Sequence, residues 1–427
     1  MHKKSFLFSI SLCLLLVGCH QESQVKQKET FTKPQYEWGK MSGETLTIWG
    51  ISPDLDRSYI KKACQRYEEL TDNQLDIVQF GKDEINQQMN KALNGDIKMP
   101  DIFVSYGGTN IDAYHPDENF YDFTDAEWVD DLTETSINQT VYNGKIIGLP
   151  HWESSISGTL YNKKIFEKYN IQIPHTQAEF MQACKKLHAQ GITPLYLPAK
   201  EVSMMLYQFP LDSVVKDSQI LNDINQGKIG YSDLSELKQI VNWYKTMADK
   251  GYLGESYLDN NWDGMSPALE SEKYAMLLCW DTWLYTDYKG NPDDFGLMPA
   301  FMGVPENGTF EGPNMNMFMV NKKSEKLEGA LDFITFLADP YNYNVAFENI
   351  LTAPVFKNQV KSISTPQYIE NERWIDKNYF DSIAWLRIKG FSQMDASCIL
   401  EYIKSSNQMT VDDCLEKMDK LRKERIS

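Results

Sequence analysis

From Thr45 onward, apolar and polar residues alternate in TLTIWG, where Leu46 and Ile48 fall between threonines, and this period of two predicts a strand. The period then lengthens. In DRSYIKKACQRYEEL, Ile60, Ala63, Cys64 and Tyr67 recur three and four apart, which predicts a helix with one buried face. QLDIVQF reads as a strand, EINQQMNKALNGD as a helix through Ile85, Met89, Ala92 and Leu93, and DIFVSYGG as a third strand. Strand, helix, strand, helix, strand is the unit of a parallel, doubly wound sheet with right-handed crossovers. Such sheets bind ligands beyond the carboxyl ends of their strands. Here those ends are Trp49 with Gly50, Phe80 with Gly81, and Tyr106 with Gly107 and Gly108.

A second set of elements follows Pro150. Thr176 and Glu179 have capping-box spacing before a helix carrying Phe180, Ala183, Cys184 and Leu187, which stops at Gly191. Another helix, with Leu237, Ile240, Val241, Tyr244 and Met247 on one face, ends at Gly251. LESEKYAMLLCW is strand-like, SEKLEGALDFITFLADP is a strong helix, and Thr410 to Asp413 has the form of a cap on the last helix.

The chain opens differently. Lys3 and Lys4 precede an apolar run from Phe6 to Val17, about a dozen residues long, which is the length of an export-signal core rather than of a membrane span. Leu16, Val17, Gly18, Cys19 resembles the bacterial lipobox, in which the leader is cut before the cysteine and the cysteine takes acyl chains. The alternative is an ordinary secretory signal in which Cys19 falls by coincidence. The resemblance predicts a leader over residues 1–18 and anchoring to the cell membrane, on its outer side, through lipid on Cys19. Residues 19–43 are polar and without apolar period, and read as a tether.

Losing that leader takes the net charge from -18 to -20, because only the two lysines go with it. A surplus of acid on this scale argues against a nucleic-acid partner and against a basic membrane-binding face. The five cysteines beyond Cys19 (Cys64, Cys184, Cys279, Cys398, Cys414) form no CxxC pair and no zinc spacing. Cys64, Cys184 and Cys414 lie on apolar helical faces and read as small buried hydrophobes, while a bridge between Cys398 and Cys414 stays open.

Several longer stretches together resemble a family. YNGKIIGLPHWESSISGTLYNKKIFEKYNI, then HTQAEFMQACKKLHAQGITPL, LKQIVNWYKTMADKGYL, ALESEKYAMLLCWDTW with PDDFGLMPA, NKKSEKLEGALDFITFLADP leading to TAPVFK, and MTVDDCLEKMDKLRKE are similar, in order and spacing, to the extracellular solute-binding proteins of ABC importers. Within these they resemble the sugar-binding group that includes maltose-binding protein. The resemblance implies an α/β, two-lobe periplasmic-binding-protein-like fold with a hinge and an interlobe ligand cleft. It places the chain crossings near Glu153–Ser157, Asn314–Phe318 and Thr352–Val355. The N-lobe is then 44–153 plus 318–352, and the C-lobe 154–317 plus 353–427. It also implies a carbohydrate ligand, a permease partner, a monomer, no required cofactor and no catalysis.

A sugar offers a face of C–H groups and an edge of hydroxyls, so its site needs aromatic platforms and convergent polar groups. The candidates are Trp49, Trp152, Trp280, Trp283 and Trp385 as platforms, with Tyr106, Glu153, Asp281 and Asn314 as polar partners; for each tryptophan, core packing is the competing expectation. With only six arginines in the chain, and Arg387 alone near a candidate, a neutral oligosaccharide is favoured over an acidic saccharide. DNNWDGMSPALE fits the spacing of a calcium loop through Asp259, Asn261, Asp263 and Glu270, with Gly264 at the sharp turn. A plain polar loop is the alternative. No hydrolase, phosphate-loop or zinc-protease motif is present. A ligand-presenting sensor would carry the same sequence features as an importer component.

Overall fold

The computed structural model describes residues 43–426, apart from 201–202, 216–217, 305–308, 312–314, 371–378, 381–386 and 406–407. The expected opening is present as β1 (Thr45–Ile51), α1 (Ser58–Thr71), β2 (Gln74–Phe80), α2 (Lys82–Leu93) and β3 (Ile102–Tyr106). β1 pairs parallel to both β2 and β3, and Asn316–Val320 returns to add an antiparallel strand beside β3. The period of two sorts the side chains. Leu46, Ile48, Ile102, Val104, Phe318 and Val320 pack under α1 and the helices Leu327–Ala338 and Pro340–Ala346. Trp49, Phe103, Met317 and Met319 enter a smaller core against Ile85 and Met89 of α2 on the other face. Covering both faces is what lets β3 and the strand beside it be buried at nearly every position.

The second lobe centres on Ile156–Asn162, a strand buried at every position. It pairs antiparallel with Tyr274–Trp280, Phe295–Met298 and Thr309–Glu311, while Thr193–Tyr196 lies parallel to Tyr274–Trp280. Helices Gln177–Ala189, Ser235–Asp249, Ser397–Lys404 and Val411–Glu424 cover this sheet. Their ends follow the sequence signals. Thr176 Oγ1 accepts from the Glu179 amide, and Gly191 and Gly251 take φ of 76° and 70°, where a side chain would be strained. Thr410 and Asp413 form a reciprocal capping box. All five cysteines past Cys19 are free thiols and buried, Cys398 and Cys414 included.

The chain first passes between the lobes at Ser154–Ile156, where Ser154 bridges to Ala353 and the Ile156 amide donates to Asp281 Oδ1. The stretch expected to form the third crossing, Thr352–Val355, stays with the first lobe. Val355 and Phe356 belong to the first core, Lys357 N–H donates to Asp131 O at 2.7 Å, and the amides of Val360 and Lys361 both donate to Asn344 Oδ1. Thr365 Oγ1 is the first group to bond into the second lobe, to Asp281. The chain therefore stays with the first lobe to about Ile363, ten residues past the expected boundary. TAPVFK looks like a hinge followed by a new lobe, but its Val355 and Phe356 instead fill the space beside Tyr343, whose ring stacks on Phe356 at 4.2 Å.

Candidate ligand-binding site

At the carboxyl end of β1 the chain makes a short turn, Asp54–Asp56, before entering α1. Gly50 allows it, since a Cβ there would stand 2.7 Å from Leu55. The turn puts Asp54 beside the end of β3. Its Oδ2 accepts from Tyr106 Oη at 3.2 Å and from Asn316 Nδ2 at 2.9 Å, two residues that are register partners across the β3 edge. Both bonds go to one oxygen, so Oδ1 keeps its acceptor capacity at a half-buried position. Burial, followed by the charge of Asp54, pushes the Tyr106 phenol above its ordinary range and keeps it a donor.

One turn further on, Arg57 pairs with Glu153, and Tyr59 Oη donates to the same carboxylate. The Glu153 amide donates back to Tyr59 Oη at 3.2 Å. The Arg57 guanidinium lies 4.8 Å over the Trp152 ring. Burial raises the Glu153 carboxyl, and Arg57 and Tyr59 oppose that rise. For Arg57, burial works against the charge, and Glu153, Tyr59 and Asp54 together outweigh it. A cation, a carboxylate and a phenol are thus fixed at the first crossing.

In the second lobe, Trp280 ends its strand half-buried and meets Trp262 at 5.7 Å between ring centroids, 30° from parallel. A cavity of about 390 Å³ lies between the lobes, lined by Gly108, Thr109, Asp112 and Tyr142 on one side and Asn222, Asn225 and Arg387 on the other.

The expected site residues separate into three groups. Tyr106 ends β3, Trp280 ends a strand of the second lobe half-buried, and Glu153 is held at the first crossing by Arg57 and Tyr59. Trp49, Trp152, Trp283 and Asp281 do not serve as open platforms or ligand groups. Trp152 and Trp283 are each 1 % exposed within the cores of the two lobes, and Trp49 packs edge-on against Phe80 at 5.3 Å. Asp281 is 1 % exposed and spends both oxygens internally, Oδ1 on the Ile156 amide at 2.9 Å and Oδ2 on Thr365. Cys19, Asn314 and Trp385 lie outside the described residues.

The loop expected to wrap calcium takes another form. Tyr257–Asp259 is a helical turn and Met265–Glu270 a helix, Glu270 Oε1 accepts from Ser266 at 2.6 Å, and Asn261 Oδ1 accepts from the Gly264 amide at 2.9 Å. Gly264 is required by Tyr196, whose hydroxyl would stand 2.5 Å from a Cβ at that position. Among the described residues no three Asp, Glu, His or Cys side chains gather as metal ligands. Reading DNNWDG as a calcium loop also hid Trp262, the partner of Trp280. Asp54 and Arg57 were missed although polar residues just past a strand's carboxyl end are a signal. Asn316 carried none, because its role depends on pairing with β3.

Two α/β lobes joined by several crossings, with polar and aromatic groups at their facing edges, define a receptor that encloses a small solute. Residues 62–372 match the family described as bacterial extracellular solute-binding protein, and the chain belongs to it. It is 24% identical over 359 residues to the melibiose/raffinose/stachyose-binding protein MelE of Bacillus subtilis, a match covering 80% of this chain and 78% of that one. Its fold is similar to that of the Bacillus subtilis binding protein MsmE in an open conformation, with TM-score 0.72 and 20% identity over 90% of this chain and 97% of that one. It is also similar to a sugar transporter protein of Bacillus licheniformis in complex with stachyose, with TM-score 0.64 and 19% identity over 88% and 98% of the two chains. Among the described residues no helix is long and apolar enough to cross a membrane.

Proposed function

We propose that this protein captures a neutral oligosaccharide between its lobes and delivers it to the permease of an ABC importer. The observation that carries this reading is the presence of two complementary groups, the polar Asp54–Tyr106–Asn316 cluster in the first lobe and the aromatic Trp262–Trp280 pair in the second. An aromatic pair suits the C–H face of a pyranose, and a carboxylate oxygen with capacity to spare suits its hydroxyls. The sugars named for MelE, and the stachyose held by the Bacillus licheniformis protein, are neutral and support the same class. The role is binding without catalysis, by a monomer. Lipid on Cys19 holds it at the outer face of the membrane, beside the transporter it serves.

The test is thermal unfolding of the domain from residue 43 against melibiose, raffinose, stachyose, maltose and a uronate. A ligand that binds only the folded state raises the midpoint as RT ln(1 + [L]/Kd), so micromolar affinity is visible at millimolar sugar. A rise with one or more neutral oligosaccharides is expected. A rise with the uronate alone, or with no sugar, overturns the assignment.

A further inference from the structure

Away from the chain crossings, the lobes meet at a charged contact. Arg387 of the second lobe donates from Nη2 to the backbone carbonyl of Asn138 in the first. Each end is mounted firmly. The Arg387 carbonyl accepts from Asn225 Nδ2 at 2.8 Å, Asn225 Oδ1 accepts from the Lys389 amide at 2.8 Å, and the fully buried Arg422 donates to Lys389 O at 3.2 Å. On the facing side Asn138 belongs to the helix Glu134–Thr140. That helix is pinned by Ser136 Oγ on Val355 O at 2.9 Å and by Gln139 Oε1 on the Met315 amide at 2.7 Å. Neither Arg387 nor Asn138 is part of a crossing, and both border the interlobe cavity.

From this geometry we infer that Arg387 is a clasp, a guanidinium on one lobe that holds the other by a main-chain carbonyl and biases the receptor toward its closed shape. A guanidinium-to-carbonyl bond is charge-assisted and stronger than a neutral one. Both anchors are hydrogen-bonded into their own lobes, so hinge opening breaks the bond rather than carrying one anchor along. A second pair has the same sense. Lys389 acts electrostatically on Asp112 from across the cavity. The acceptor is a backbone atom, so this bond itself does not use the side chain at 138 and depends on the one at 387. A ligand then meets lobes already biased toward closure, and the apparent affinity rises with the fraction closed. The effect on affinity rests on the function proposed above, whereas the effect on shape does not.

The experiment is small-angle scattering of the wild type, Arg387→Ala, Arg387→Lys and Asn138→Ala, without sugar and with saturating raffinose or stachyose, alongside titration calorimetry. Without sugar, Arg387→Ala is expected to show a larger radius of gyration than the wild type, Arg387→Lys an intermediate one, and Asn138→Ala the wild-type value. With saturating sugar all four should converge, and the apparent affinity of Arg387→Ala should be about three- to tenfold weaker. Equal sugar-free radii for Arg387→Ala and wild type overturn the clasp. Equal radii with lost affinity overturn it too, and make Arg387 a ligand contact instead. If no sugar binds the wild type, the function proposed above fails, while the sugar-free radii still decide the clasp. Folding of each variant is read from the melting midpoint, and Arg387→Lys keeps the comparison decisive if Arg387→Ala does not fold.

Discussion

Arg57 and Glu153 form an ion pair that joins the start of α1 to the first chain crossing, with the Glu153 side chain almost wholly buried and that of Arg57 about one-third exposed. Removing one partner of such a pair strands a charge where water cannot reach it, which costs more than the intact pair contributes. Arg57→Ala should therefore destabilise the protein by roughly 2–3 kcal/mol, below the range for a fully enclosed pair because the arginine keeps some solvent. Adding Glu153→Gln should recover much of that loss. Thermal midpoints of the two single variants and the double variant check this, and simple additivity of the two losses would rule out the coupling.

The doubly wound opening of the first lobe was legible because its pattern is local: Leu46 and Ile48 alternate, and Ile60, Ala63, Cys64 and Tyr67 step by three and four. The third crossing was not. Nothing in TAPVFK says that Val355 and Phe356 will prefer the pocket beside Tyr343 to a place in the second lobe, since that choice depends on the chain folding back on the preceding helix. The site was half legible for the same reason. Tyr106 and Trp280 stand at strand ends, where position alone marks them. Asp281 and Trp283 also stand just past a strand, and only the packing shows that one braces a crossing and the other fills a core.

Asp54 is expected to matter for ligand and little for stability. Its carboxylate is oriented by Tyr106 and Asn316 at the lobe edge. Asp54→Asn, which keeps an acceptor oxygen for Tyr106 and Asn316, should weaken oligosaccharide affinity by about tenfold, the scale of a hydrogen bond to a charged acceptor, with only a small change in melting midpoint. Calorimetric titration with raffinose checks it. An unchanged affinity would move the sugar away from this edge.

Trp280 and Trp262 make a parallel expectation on the facing lobe. With ring centroids at 5.7 Å they form one apolar surface, so Trp280→Ala removes the platform and leaves Trp262 without its neighbour. Loss of sugar binding is expected, together with loss of most of the ligand-induced change in tryptophan fluorescence. Trp283→Ala should behave differently. The buried ring at Trp283 leaves a cavity when removed, costing about 3–5 kcal/mol and reducing affinity mainly through the unfolded fraction.

Two buried groups should set the pH response of stability with opposite signs. Burial raises the Asp281 carboxyl from 3.8 to about 6, against the hydrogen bonds it receives from Thr365 and the Ile156 amide. The folded state thus holds this proton more tightly than the unfolded chain does. The contribution is fully present below pH 4 and is lost as pH rises through 6. Burial lowers the His151 imidazole from 6.5 to about 3, among the rings of Tyr59, Phe347 and Phe356. Its contribution is complete above pH 6.5 and is lost as pH falls toward 3. Asp281→Asn keeps the acceptor for the Ile156 amide and cannot ionise, so its midpoint relative to wild type should climb between pH 4 and 6 and then level. His151→Phe keeps an aromatic ring in place and should blunt the acid side, with its midpoint gaining on the wild type as pH drops below 6.5. Melting curves from pH 3 to 8 for the three proteins separate the two groups. Curves that run parallel to the wild type throughout would show that neither proton is coupled to folding.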